Sequence, residues 1–166
     1  MGMYTELNCA FALSKNTPQQ IVDLLLYMTG QSSTEPATLP PHPLFGDTRW
    51  DSMLRGASAY FDGDSHSTVR LDEFSGKHRV TIRCNFKNYD DEIRRFIDWI
   101  TPHIDSLPGD FIGYTRYEDT ELPTLLYHPR LFITPQIPEE IFGAAAREVD
   151  WWTTATPHRR DMEGKK

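Results

Sequence analysis

Two segments of the chain share one pattern, an alternating strand followed by a short polar loop and an amphipathic helix. The first segment contains Leu7-Asn8-Cys9-Ala10-Phe11, and the second contains Ile82-Arg83-Cys84-Asn85-Phe86. Apolar side chains recur at every second position in both, which is typical of a strand with one buried face. We therefore predict two β-α units whose Cys-x-Phe faces lie against the core.

Each of these strands is followed by a helical stripe of apolar side chains. The first helix is predicted to begin at Thr17-Pro18, an N-cap followed by proline, and to end at Gly30. The second is predicted to begin at Asp90 and to end at Thr101-Pro102. The stripes are Ile21, Leu24, Leu25 and Met28 in the first helix and Ile93, Phe96, Ile97 and Ile100 in the second.

Further strands are predicted in two hairpins. One joins residues 68–74 to 78–86, and the other joins 111–117 to 124–127. Together with a first strand near 4–13, the order is β-α-β-β-α-β. This order predicts an α+β fold, specifically the ferredoxin-like antiparallel sheet with two helices on one face, followed by an extra strand and a C-terminal tail.

The chain is predicted to form a single α+β domain over residues 1–146, with a partly flexible tail at 147–166. A short helix is expected over 138–146 and a short strand over 57–61. Residues 31–47 are rich in proline and serine and predict a long loop. Long loops in compact domains are commonly functional or disordered, and the sequence leaves open whether this one is ordered.

The charge of the chain argues against one class of partner. The formal net charge is −7, whereas non-specific binding to a nucleic-acid backbone requires a basic surface. No run of 18 apolar residues is present, so we expect no membrane span. With no signal peptide visible either, we expect a cytoplasmic protein.

Few residues are arranged as catalytic or metal-binding sites require. Cys9 and Cys84 lie on apolar faces and are expected to be buried, reduced thiols. No two of the six histidines have metal-ligand spacing, so no metal, cofactor or catalytic residue is expected. The segment Asp62-Gly63-Asp64-Ser65-His66 has the composition of a hydrophilic turn, and a cation site there is the less favoured interpretation.

The sheet face opposite the core is the predicted ligand-binding surface. Arginine forks match carboxylate and phosphate groups, and amides and a tyrosine beside them favour an anionic or planar ligand. The alternative is a solvated face with cross-strand ion pairs, such as Glu6 with Arg83. The candidate ligand-binding residues are Asn8, Arg70, Arg83, Asn85, Tyr114 and Arg116.

Tryptophans supply a second candidate surface. Trp50, Trp151 and Trp152 lie in irregular segments, and tryptophan is a common interface anchor. We therefore predict that they bind a partner. For Trp50, docking within the molecule is the favoured alternative.

Three short motifs carry a resemblance to a family. They are Tyr4-Thr5-Glu6-Leu7, Asn88-Tyr89-Asp90-Asp91-Glu92-Ile93, and Gly113-Tyr114-Thr115-Arg116-Tyr117-Glu118 followed by Pro123-Thr124-Leu125. In these motifs the chain resembles a group of small uncharacterised α+β proteins encoded by bacteriophages and bacteria. The resemblance implies an accessory protein that acts in bacterial cytoplasm, and it brings no activity with it.

The sequence as a whole favours a noncatalytic accessory protein that engages a host protein or a small anionic ligand and associates as a homo-dimer. One alternative is an enzyme acting on a nucleotide or other phosphorylated small molecule. In that enzyme Arg70, Arg83 and Arg116 would hold the anion, and Asp62, Asp64 or His66 would serve as the acid-base group. The other alternative is a virion or assembly protein.

Overall fold

Strand β1, Tyr4–Ala12, is an interior strand of a six-stranded antiparallel sheet. The computed structural model describes residues 4–46, 48–61, 63–120, 122–129 and the backbone of 131–133. The other strands are β2 (Thr68–Asp72), β3 (Lys77–Lys87), β4 (Phe111–Tyr117), β5 (Thr124–Tyr127) and β6 (Leu131–Ile133), and the helices are α1 (Gln19–Met28) and α2 (Glu92–Ile100). The order across the sheet is β2-β3-β1-β4-β5-β6. The predicted α+β class is therefore confirmed, with an antiparallel sheet and two helices.

The described residues belong to one compact unit, Met1–Thr134. The predicted helix at 138–146 and the predicted tail at 147–166 lie outside the described residues. Among the described residues, neither helix has the length and apolar composition needed to cross a lipid bilayer.

The core lies on the Cys-x-Phe side of the sheet, as the alternation predicted. Leu7, Cys9 and Phe11 of β1 are buried, and so are the alternate residues of β3 beside them. The apolar stripes of α1 and α2 belong to the same buried cluster. Cys9 and Cys84 are free thiols inside this cluster, as predicted.

Three local predictions are wrong. Thr17 does not cap α1, because Pro18 holds the N-cap position and the Thr17 hydroxyl donates to the carbonyl of His103 at 3.5 Å. Asp90 does not cap α2, since the Asn88 Oδ1 accepts the Ile93 N–H at 2.9 Å. Residues 57–61 form a turn and irregular chain instead of a strand.

Gly113 allows β4 to approach β1 closely. The β4–β5 register shifts between Phe111 and Gly113, and Gly113 has φ +153°. A Cβ atom there would lie 2.5 Å from Cys9 Cα and nearer still to the Asn8 carbonyl oxygen. Simple alternation along the strand predicts that Ile112 shares a face with Tyr114 and Arg116. This prediction is wrong for Ile112, which joins the core cluster because of the register shift.

We expect Gly113→Ala to lower the free energy of unfolding by about 2–4 kcal/mol, because the strained φ and the backbone clash add. Gly109→Ala is the matched control: Gly109 has φ +90°, but no atom lies within 4 Å of a Cβ there. Urea unfolding of both variants separates the clash from the conformational cost. A loss in Gly113→Ala no larger than in Gly109→Ala would show that the close approach is absent.

Candidate functional site

The polar face, defined as the side of the sheet opposite the core cluster, carries the predicted ligand-binding residues. On β1, Asn8 lies between Arg83 of β3 and Tyr114 of β4. Two residues earlier on β1, Glu6 lies between Asn85 of β3 and Arg116 of β4. Two neighbouring rows therefore hold five of the six candidates. The sixth, Arg70, lies on the edge strand β2 opposite Arg79.

A covering segment, described over residues 56–61 and 63–66, lies over one end of this face. It is attached to β3 at both of its ends. The Asn85 N–H donates to the Gly56 carbonyl at 3.0 Å, and His66 and Arg83 exchange two backbone hydrogen bonds of 2.7 and 3.0 Å. Asp62, in the middle of the segment, lies outside the described residues.

Aromatic rings of the covering segment contact the strands beneath it. The Tyr60 ring stacks on Tyr4 with centroids 5.2 Å apart. Phe61 is only 7% exposed, although it lies outside the core cluster, and the Arg116 guanidinium lies 5.1 Å from its ring centroid. These contacts close the end of the polar face that contains Glu6 and Asn85.

Glu6 is a carboxylate buried under this cover, with 3% of its surface exposed. Its Oε2 lies 3.2 Å from Nη2 of Arg116. The predicted Glu6–Arg83 pair is therefore wrong: in this register Arg83 lies opposite Asn8, and Arg116 on the other neighbouring strand reaches the carboxylate.

Three buried polar atoms meet at this closed end without a hydrogen-bond partner among the described residues. They are Glu6 Oε2, whose contact with Arg116 is an ion pair only, Asn85 Oδ1 and Arg116 Nε. A narrow crevice between Glu6, Asn85 and the covering segment has no room for a water molecule. Burying a polar atom without a hydrogen-bond partner costs folding free energy. The three atoms at this closed end therefore lack hydrogen bonds that would offset their burial.

The other end of the polar face is open. Arg70, Arg79, Thr81 and Arg83 are all exposed there. Arg79 is held by Asp72, with Nη2 to Oδ2 at 2.9 Å. At the boundary between the two ends, the Asn8 amide donates to the Tyr114 hydroxyl at 3.3 Å.

Basic side chains outnumber acidic ones on the polar face, although the whole chain has a net charge of −7. On this face of the described strands, the acidic side chains are Glu6 and Asp72. The basic ones on the same strands and face are Arg70, Lys77, Arg79, Arg83, Lys87 and Arg116.

The described residues supply little for nucleophilic or metal chemistry. Burial raises the pKa of the Cys9 thiol to about 12, and burial is also the main cause of the raised pKa of Cys84, with smaller contributions from Cys9 and Glu6. Both thiols are therefore protonated at neutral pH. Within the described residues, no three His, Cys, Asp or Glu side chains come together as metal ligands do.

The candidate acid-base groups of the enzyme alternative lie in the covering segment. Asp64 borders the crevice beside Arg83. His66 is exposed, and its backbone pairs with Arg83. Asp62 lies outside the described residues.

Trp50 is packed inside the molecule, in agreement with the docking alternative. It is 9% exposed, and its ring lies 5.3 Å from that of Phe45 and 5.8 Å from that of Tyr27. Little of the Trp50 surface is therefore exposed for contact with a partner. Trp151 and Trp152 lie outside the described residues, and their partner role stays a prediction.

Sequence reasoning missed Arg79 as part of the basic surface and Arg116 as the counter-ion of Glu6. Arg79 could have been found, because it falls on the same side of the alternating β3 pattern as Arg83. The Glu6–Arg116 pair could not, because the sequence does not state which strands neighbour β1.

Neither the family models, nor the curated proteins, nor the solved structures with which the chain was compared gave a match.

Asp72, at the open end of the polar face, makes the stability of the fold depend on pH. Hydrogen bonds from Ser75 and then from Arg79 lower the pKa of Asp72 from 3.8 to about 2. A carboxylate with a lowered folded-state pKa stabilises the fold above its unfolded pKa, and this stabilisation is lost as the pH falls through the folded value. We therefore expect wild type to lose stability between about pH 4 and pH 2 and Asp72→Asn to lose less in that window, as measured by urea unfolding across pH. Parallel curves for the two proteins would contradict this.

Proposed function

We propose that this chain is a noncatalytic accessory protein that binds an acidic partner protein through the open end of its polar face. The observation that carries the proposal is the concentration of basic side chains on one face of an acidic chain. A surface of opposite sign to the rest of the molecule orients an incoming acidic partner and excludes wrong ones.

The shape of the open end supports a protein partner over a small ligand. Two of its exposed groups, Arg70 and Thr81, lie on the adjacent strands β2 and β3, outside the lining of the crevice at the covered end. Guanidinium groups spread over a sheet surface match carboxylates spread over a protein surface, because each fork binds one carboxylate. The net charge of −7 opposes binding to a nucleic-acid backbone.

We further propose a ferredoxin-like arrangement extended by β5 and β6. The element order β1-α1-β2-β3-α2-β4 and the strand order β2-β3-β1-β4 support it. The resemblance to bacteriophage-encoded proteins supports an accessory role in bacterial cytoplasm. Self-association as a homo-dimer belongs to the same proposal. For the enzyme and the virion alternatives we find no supporting contact among the described residues.

Charge reversal on the open end tests the proposal. The double variant R70E/T81E replaces two exposed side chains with carboxylates, and R70K/T81Q is the control that preserves the charge. Immobilised wild type and both variants are incubated with bacterial cytoplasmic extract, and the retained proteins are quantified by mass spectrometry. We expect acidic proteins to be retained by wild type and by R70K/T81Q, and R70E/T81E to retain at least about tenfold less of them, because like charges at an interface cost several kcal/mol.

Competition identifies the kind of anion. Polyaspartate should displace the retained proteins, whereas inorganic phosphate at the same ionic strength should not. Displacement by phosphate would favour a small anionic ligand instead. Retention of the same proteins by R70E/T81E would exclude the open end as the binding surface.

A further inference from the structure

We propose a second binding site, for the alkyl-ammonium or guanidinium group of a small cationic ligand, in the groove between α1 and residues 32–38 of the long loop. The groove encloses about 480 Å³, which falls within the range of small-molecule sites. It does not contain the polar-face residues, so the proposal is independent of the proposed function.

The loop stands away from the helix because it is anchored on both sides of the groove. Before it, the Gln31 side chain is bonded twice to the backbone of Val69 on the edge strand β2, with bonds of 3.0 and 2.6 Å. After it, Leu44 is completely buried in the core. Between these anchors, Gln20 of α1 donates to the backbone and the hydroxyl of Thr38, both at 3.1 Å. The groove is therefore formed before any ligand binds, which lowers the entropic cost of binding.

Helical spacing places three side chains of α1 along the groove. Gln20, Asp23 and Leu26 follow one another at i, i+3 and i+6, and all three line it. Leu26, with Pro36 and Ala37 from the loop, supplies an apolar surface for the aliphatic part of a ligand. The hydroxyls that line the groove can accept hydrogen bonds from a ligand N–H.

The charged side chains that line the groove favour a cationic ligand. Asp23 and Glu35 are the charged side chains that line it, and no lysine, arginine or histidine is among the lining residues. The Asp23 Oδ1 accepts one hydrogen bond from Gln19 at 2.9 Å. Glu35 makes no hydrogen bond or ion pair with the described part of the chain. A groove lined by two carboxylates together with apolar side chains fits a cationic group on a short alkyl chain.

NMR titration of the full 15N-labelled chain tests this site. The probes are 1,5-diaminopentane, the N-acetyl methylamide of lysine, and glutarate as an anion of similar length. We expect both cations to shift the amide signals of residues 20–26 and 32–38 at about millimolar concentrations, because solvent-exposed ion pairs are individually weak. Glutarate should leave these signals unchanged. Tighter binding of the diamine would identify a free amine as the ligand, and tighter binding of the lysine derivative would identify a side chain of a partner.

Neutralising the carboxylates without changing their shape completes the test. D23N/E35Q should weaken cation binding by about tenfold, since each exposed ion pair contributes a modest part of the affinity. D51N/E73Q removes the same charge from residues that do not line the groove and should bind as wild type does. The proposal is overturned if neither cation shifts groove signals at about 10 mM, if glutarate shifts them equally, or if both double variants weaken binding to the same extent.

Discussion

The burial of Glu6 is the constraint on which the arrangement of the polar face depends. Glu6 is 3% exposed, and burying a carboxylate is costly unless a counter-charge lies beside it. β1 places Glu6 directly opposite Arg116 of β4, and their 3.2 Å ion pair supplies the counter-ion. The Arg116 guanidinium of the same pair also lies 5.1 Å from the centroid of the Phe61 ring, in contact with the covering segment.

This closure divides the polar face into a covered end and an open end. At the covered end, the charges are paired internally and the crevice has no room for a ligand. At the open end, Arg70 and Thr81 are exposed. The acidic groove beside α1 lies on other elements and has the opposite sign. The two proposed binding surfaces therefore have opposite charges, which favours different classes of ligand at each.

Much of the sheet could be predicted, because a period of two in residues such as Leu7, Cys9 and Phe11 directly reports which side is buried. The helix stripes were predicted for the same reason, whereas the caps at Thr17 and Asp90 were wrong. The Thr17 hydroxyl donates instead to the distant carbonyl of His103, and the nearby Asn88 replaces Asp90 as the side-chain acceptor. The partner of Glu6 and the covering segment could not be predicted. Both depend on contacts between residues distant in sequence, and the irregular chain around Phe61 has no periodicity that reports its position. The groove could not be predicted from the sequence either, because the contacts of Gln31 and Leu44 hold the loop wall in place beside α1.

A double-mutant cycle on Glu6 and Arg116 is the most direct measurement of the central claim. Glu6→Ala, Arg116→Ala and the double variant are unfolded in urea at neutral pH, and the coupling free energy is obtained from the four stabilities. The account predicts a coupling of about 1–3 kcal/mol, because removing Arg116 leaves the Glu6 carboxylate buried without its counter-charge. Additive losses, with a coupling near zero, would show that the pair does not hold the covered end of the polar face together.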